Sequence, residues 1–397
     1  MKKISFRSFL WGLLPLFVLA HFAHHLLPGM LTPLLPFIRD DLALDYTQAG
    51  WIISAFTIAY GVSQLPAGWL ADHIGPRIVL TIGISGVALA GILVGISPTY
   101  FMVMAFLVLL GLLGGGYHPS SAPLVSAAVE PKNQGSALGI HQIGGSAGFF
   151  LTPLITAAIA SALGWRGSFI AVAIPIFIIG VVVYVLLGRF GYVKKTQQRV
   201  STTPVGVSPI AGGSSRRLTA VIILGIAVQT FVWSVISFIP LFIVDRFNVS
   251  KEAAAAFLTI VYAGGLWAGP LGGYLSDRFG RVPVVAGVSV IAGIVIYLLN
   301  VAPFGWVMSL VLIVVGTSYF LSLPVFESYI IKHTSEHNRS TVLGVYYTGS
   351  RGGPGAMAPA LGYLADHFGF YTGFTLTGAA MFATAIVCSV LLWGSRD

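Results

Sequence analysis

Gly68-Trp69-Leu70-Ala71-Asp72-His73-Ile74-Gly75-Pro76-Arg77 follows one long apolar run, and Gly273-Tyr274-Leu275-Ser276-Asp277-Arg278-Phe279-Gly280-Arg281 follows another. The two align at an offset of 205 residues, which places Gly68 on Gly273, Leu70 on Leu275, Asp72 on Asp277 and Gly75 on Gly280. Outward from them, the same offset sets Asp40 on Asp245, Gly111 on Gly316, Pro119 on Pro324 and Asn133 on Asn338. It also sets Gly139 on Gly344, Gly144 on Gly349 and Gly148 on Gly353. One gap-free offset over this length marks an internal duplication, and parallel repeats of apolar segments are a layout of alternating-access transporters.

Composition sets the medium. The 397 residues are 56% hydrophobic and only 8% charged, where a soluble domain carries roughly 25%. That excludes a water-soluble enzyme with a polar surface, and equally a disordered chain. The single cysteine, Cys388, excludes a disulfide within the chain. Nothing resembles a Walker loop, so direct drive by ATP is not expected. Lys2, Lys3 and Arg7 before an apolar run imitate a signal peptide, but the run continues to about Leu35 and reads as an uncleaved first span.

Apolar runs and their polar breaks predict twelve transmembrane helices in an all-α polytopic membrane protein. The first six cover about 9–35, 46–70, 78–97, 101–129, 135–162 and 168–189. The second six cover about 218–243, 252–275, 283–302, 306–331, 340–363 and 371–394. The expected domains are an N-terminal six-helix bundle (1–190), a Ser/Thr/Pro/Gly-rich basic linker (191–217) and a C-terminal six-helix bundle (218–397).

The surplus of bases follows topology. With the N-terminus inside, Lys2, Lys3, Arg7, Arg77, Lys132, Arg189, Lys194, Lys195, Arg199, Arg216, Arg217, Arg278, Arg281, Lys332, Arg339 and Arg396 all fall on the cytoplasmic side. Arg39, Arg166, Arg246 and Lys251 fall outside, and Arg351 lies within a span. This positive-inside bias places both termini in the cytoplasm, in the inner membrane of a prokaryote. It accounts for the net charge of +9 through anionic lipid headgroups, with no nucleic-acid partner.

The two Gly-x-Leu-x-Asp segments resemble the loop signature of the major facilitator superfamily, found between helices 2 and 3 and again between helices 8 and 9. With the twelve runs and the repeat, the resemblance covers essentially the whole chain and implies the major facilitator fold. The second copy matches well, whereas the first departs at His73 and Pro76, where the family has basic residues. The glycines permit a tight turn and close helix approach. Each Asp can accept from a helix N-terminus and pair with a base. Gly68, Asp72, Gly75, Arg77, Gly273, Asp277, Arg278, Gly280 and Arg281 are therefore the expected conformational latch. A charged loop that only sets topology is the plainer alternative.

Tyr117-His118-Pro119 in the fourth run and Gln134-Gly135…His141-Gln142-Ile143-Gly144-Gly145…Gly148 in the fifth resemble the branch containing fosmidomycin-resistance efflux proteins. That branch implies proton-driven export of small toxic compounds. The helix-5 antiporter signature is present only loosely, since Pro153 stands far from the glycines.

Ionisable residues inside spans are costly and usually face the bundle interior or a water-filled cavity. Arg351 lies roughly 16 Å into the eleventh span at 1.5 Å per residue, too deep for easy snorkelling. Glu327 is the one acid well inside a predicted span. Either the two form a structural ion pair, or Arg351 binds an anionic group of the substrate with Glu327 as proton site. His21 and His25 share a helix face, with His24 beside it. With His118, His141 and Gln142 they suit substrate contact or proton relay. Neutral histidines bonded between helices are the plainer reading, and a divalent metal is a minor one. The expected substrate-binding set is Arg351, His21, His25, His118, Gln142, Tyr117 and Tyr346, with Glu327, His24 and His141 as the proton-coupling set. Gln64, Gln229, Tyr60, Tyr262, Tyr319, Trp233 and Trp267 are secondary candidates.

The resulting expectation is a monomeric, proton-coupled secondary transporter, not an enzyme, with no cofactor and no resident metal. It exports a small polar or anionic compound of phosphonate-antibiotic type by alternating access, bound between the halves. An uptake symporter for a carboxylate or sugar shares the fold. A divalent-metal exporter and a non-transporting sensor or scaffold are lesser alternatives.

Overall fold

The computed structural model describes residues 13–129, 133–189, 212–335 and 339–393. Lys2, Lys3, Arg7, Lys132, Lys194, Lys195, Arg199 and Arg396, and most of the expected linker, lie outside them.

Among the described residues the chain is helical throughout, with no strand. The helices are α1 (Leu13–Asp41), α2 (Tyr46–Ile74) and α3, which runs Pro76–Thr81, a π turn Ile82–Gly86 and Val87–Gly95. Next, α4 comprises Tyr100–Gly114 and Tyr117–Ala127. Gln134–Arg189 breaks at Gly164 into α5 (134–163) and α6 (165–189). Beyond lie α7 (Gly212–Phe247), α8 (Lys251–Phe279), α9 (Arg281–Leu298) and α10 (Trp306–Lys332). Arg339–Leu391 breaks at Gly369 into α11 (339–368) and α12 (370–391).

Nine stretches among the described residues are long and apolar enough to cross a membrane, and two of these run to 54 and 50 residues. A straight helix of that length would reach about 80 Å, against a hydrocarbon core of about 30 Å, so each must turn back. It does so at Gly164 (φ 66) and Gly369 (φ 78), in a backbone region that L side chains avoid. Large apolar side chains such as Phe101, Ile178 and Val390 stand exposed. Water would penalise such faces; lipid does not. The chain is an integral membrane protein.

The duplication is written in the backbone. Positive φ occurs at Ala43 and Asn248, at Gly75 and Gly280, and at Gly164 and Gly369. Each pair is separated by 205 residues, the offset of the sequence repeat.

The signature segments differ from the expected loops. Gly68–Ile74 completes α2 and Gly273–Phe279 completes α8, leaving Gly75 and Gly280 as the turns. Glycine inside a helix signals a break in water, but is ordinary in transmembrane helices, where close packing compensates for its low propensity. α1 and α11 also run past their predicted ends, through the charged stretches 36–41 and 364–368 that end the apolar runs but not the helices.

The residues fall into two compact units, Met1–Leu34 with Ala59–Thr203, and Leu35–Ile58 with Pro204–Asp397. The second unit thus takes in the end of α1 and the start of α2.

Candidate functional site

In the first unit, five histidines from three helices converge. The α5 glycines make this possible: a Cβ at Gly144 would strike the carbonyl of Val18, and one at Gly145 would stand 2.5 Å from Cε1 of His21. At Gly148 it would meet the Phe22 carbonyl at 3.0 Å. The Gly144-Gly145…Gly148 run therefore seats α5 against the histidine face of α1.

The five rings then take different roles. His24 is fully buried, with Nδ1 3.0 Å from the Gly83 carbonyl in the π turn of α3 and Nε2 3.3 Å from the Tyr60 hydroxyl. Its ring stacks on Tyr117 at 4.2 Å. His141 stacks on His21 at 4.2 Å, and its Nε2 lies 3.1 Å from the Tyr117 hydroxyl. These two hold α1, α2, α3, α4 and α5 together. His21, His25 and His118 instead bring ring nitrogens to within 4.8 Å of one another. His21 and His25 face each other through Nε2 at 3.1 Å, and the His118 ring lies 5.4 Å from His21 and 5.5 Å from His25. Gln142 is exposed, one residue beyond His141 on α5, and is not among these contacts.

In the second unit, Arg351 of α11 is half-buried. It is hydrogen-bonded to Tyr319 of α10 and acts electrostatically on Glu327. The Tyr347 hydroxyl donates to the Glu327 carboxylate. Trp233 of α7 packs 5.0 Å from Tyr319 and 6.1 Å from Tyr262. Tyr346 is fully buried, and its hydroxyl has no hydrogen-bond partner among the described residues. Gln229 is likewise buried with both amide atoms unpartnered among the described residues. Buried polar groups normally find partners, and these two stand out against that rule among the described residues. Tyr347 was not singled out from sequence; its position beside Tyr346 carried no signal of its own.

The signature segments hold through bases rather than acids. Arg77 Nε donates to the Tyr184 carbonyl at 2.8 Å and its guanidinium lies over the Tyr184 ring at 3.8 Å. Arg281 Nε donates to Ser328 at 3.1 Å, and Arg278 to the Tyr274 hydroxyl at 3.2 Å. Asp72 and Asp277 are exposed, with no hydrogen bond or ion pair among the described residues.

The helix-capping chemistry expected of them occurs at Asp366. Its carboxylate accepts from the backbone N–H of Tyr46 at 2.9 Å, from that of Thr47 at 2.8 Å and from the Thr47 hydroxyl at 2.6 Å. Asp366 stands in Gly362-Tyr363-Leu364-Ala365-Asp366-His367-Phe368-Gly369, a third spelling of the signature, closed like the others by a positive-φ glycine. The signal lay in the sequence, off the 205-residue register. Beside it Arg39 forks onto Asp245, which also accepts from the Tyr46 hydroxyl at 2.6 Å. Asp40 pairs with Arg39 at 2.8 Å and Lys251 at 2.6 Å. The start of α2 and the end of α1 are thereby tied to α7, α8 and α11.

The sequence model of the Major Facilitator Superfamily matches the chain twice, over residues 17–233 and 221–397. The chain belongs to this superfamily. Among curated superfamily members, it is 25% identical over 375 residues to a probable sulfoacetate transporter of Cupriavidus necator, covering 87% of this chain and 85% of that one. It is 26% identical over 377 residues to the hexuronate transporter of Bacillus subtilis (89% and 87%). It is 22% identical over 364 residues to the fosmidomycin resistance protein of Escherichia coli (90% and 87%). A crystal structure of a POT family transporter in complex with 5-aminolevulinic acid superposes with a TM-score of 0.78 at 17% identity, covering 95% of both chains. The last shows a shared fold. This superfamily chain is a membrane transporter rather than an enzyme.

Proposed function

We propose that this transporter carries a small organic anion coupled to protons by alternating access, with the anion on Arg351 and the proton on Glu327. The observation behind the reading is that a guanidinium inside a span, Arg351, acts electrostatically on a buried carboxylate, Glu327. A buried cation left alone is strongly unfavourable, so Arg351 is satisfied either by ionised Glu327 or by an anionic ligand. Protonation of Glu327 frees the fork for the ligand, and the ligand in turn favours the protonated acid. By linkage the two bind with positive cooperativity, which suits movement of proton and anion in the same direction. Tyr319, Tyr346 and Gln229 offer further hydrogen-bonding groups, and Trp233 an apolar wall. Relatives named for sulfoacetate and hexuronate transport support an organic acid as cargo.

Export is the second reading. It rests on the α4–α5 motif and on the relative named for fosmidomycin resistance. It requires proton and cargo to oppose each other's binding, so that cargo binds best when Glu327 has lost its proton.

Thermal stabilisation of the purified chain by glucuronate, sulfoacetate and a phosphonate separates the two. The symport reading expects stabilisation by such anions, stronger at acidic pH, abolished in Arg351→Ala and independent of pH in Glu327→Gln. Stabilisation by cationic drugs alone, strongest at alkaline pH, would overturn it.

A further inference from the structure

We propose that His21, His25 and His118 form a binding site for a divalent transition-metal ion of the zinc type, distinct from the Arg351 site and independent of it. His21 Nδ1 lies 2.9 Å from the backbone carbonyl oxygen of His141. A carbonyl can only accept, so Nδ1 carries the hydrogen and the uncharged ring presents its lone pair at Nε2. That arrangement, an imidazole fixed through its far nitrogen by a backbone carbonyl, is how proteins orient metal-ligating histidines. The lone pair points at the companion residue one helical turn on, His25, with the two Nε2 atoms 3.1 Å apart. Without a metal, His25 Nε2–H donates to that lone pair. Two nitrogens bound tetrahedrally to one ion at 2.0–2.1 Å would be about 3.3 Å apart, so the pair has the spacing of a chelate once the His25 hydrogen moves to Nδ1.

His118 supplies the third ligand from a different helix, with the three nitrogens within 4.8 Å of one another. The remaining histidines explain why the site has three ligands. His24 is committed at both nitrogens, to Gly83 and Tyr60, and Nε2 of His141 is engaged by the Tyr117 hydroxyl. Three imidazoles with no carboxylate and no thiolate suit zinc, copper or nickel over magnesium or calcium. Three protein ligands leave the fourth position of a tetrahedral ion open to water or an exchangeable ligand.

The test uses the untagged full chain in detergent, treated with chelator, desalted and titrated with Zn2+ and Co2+. One ion per chain is expected, with micromolar or tighter affinity and a tetrahedral Co2+ visible spectrum. Replacing His25 or His118 by Ala should weaken binding at least 100-fold. The helix-end variant His73→Ala/His333→Ala/His367→Ala should leave it unchanged. Zinc-edge X-ray absorption of the wild-type complex tests the ligand set without any substitution, and three imidazoles are expected. No binding by the folded wild type, binding lost only in the helix-end variant, or an oxygen-dominated shell would each overturn the proposal. Loss of Zn2+ binding with Arg351→Ala would show that the two sites are not independent.

Discussion

A guanidinium at the centre of a transmembrane helix costs roughly 3 kcal/mol even on the mildest insertion scales, and Arg351 meets that cost through Tyr319 and Glu327. Its chemistry was legible in the sequence, because an intramembrane charge stands out against an apolar background. The roles of the histidines were not. His21, His24, His25, His118 and His141 look alike as letters, and their division follows from which ring nitrogen meets a carbonyl or a hydroxyl. That depends on the π turn in α3 and on the α5 glycines. Gly145 is the sharpest case, since a methyl there would occupy the space of the His21 ring. Gly145→Ala should cost about 1–3 kcal/mol through overpacking, seen as a lowered Tm, and should weaken Zn2+ binding by displacing His21. An unchanged Tm would mean that α5 does not press on α1 as described.

Among the elements, Asp366 at the end of α11 caps the first turn of α2, accepting two of the N–H groups that every helix start leaves unsatisfied. Removing a helix cap typically costs about 1 kcal/mol. Asp366→Ala should therefore raise the open fraction of the first turn of α2 by about fivefold, read as faster maleimide labelling of Thr47→Cys in that background. Asp72→Ala, whose carboxylate makes no such bond among the described residues, should leave that labelling unchanged in the same conformation. The all-helical character and the order of the apolar runs were readable from hydropathy, and the 205-residue repeat from glycines, prolines and acids. Helix ends fall short at the Gly-x-Leu-x-Asp segments in a hydropathy reading, because the apolar runs stop at the polar break before Asp72 and Asp277 whereas the helices continue through those acids. The third spelling at 362–369 escaped because it lies off the repeat register.

For the molecule as a whole, the Major Facilitator assignment joins a duplicated helical fold to membrane transport, and in the proposed reading what passes through depends on how charge is balanced at Arg351. The sequence placed Arg351 and Glu327 in neighbouring predicted spans but left open whether they serve structure or coupling. It leaned toward export through short motifs in α4 and α5, and several of those residues, Tyr117, His141 and the glycines, turn out to be engaged in packing the first unit. The most direct measurement is proton flux into proteoliposomes driven by an imposed inward gradient of glucuronate or sulfoacetate, with a pH dye trapped inside. Acidification of the lumen by the wild type, absent in Arg351→Ala, and anion entry without acidification in Glu327→Gln, is the predicted result. Alkalinisation of the lumen as the anion enters, or acidification that survives in Arg351→Ala, would contradict it.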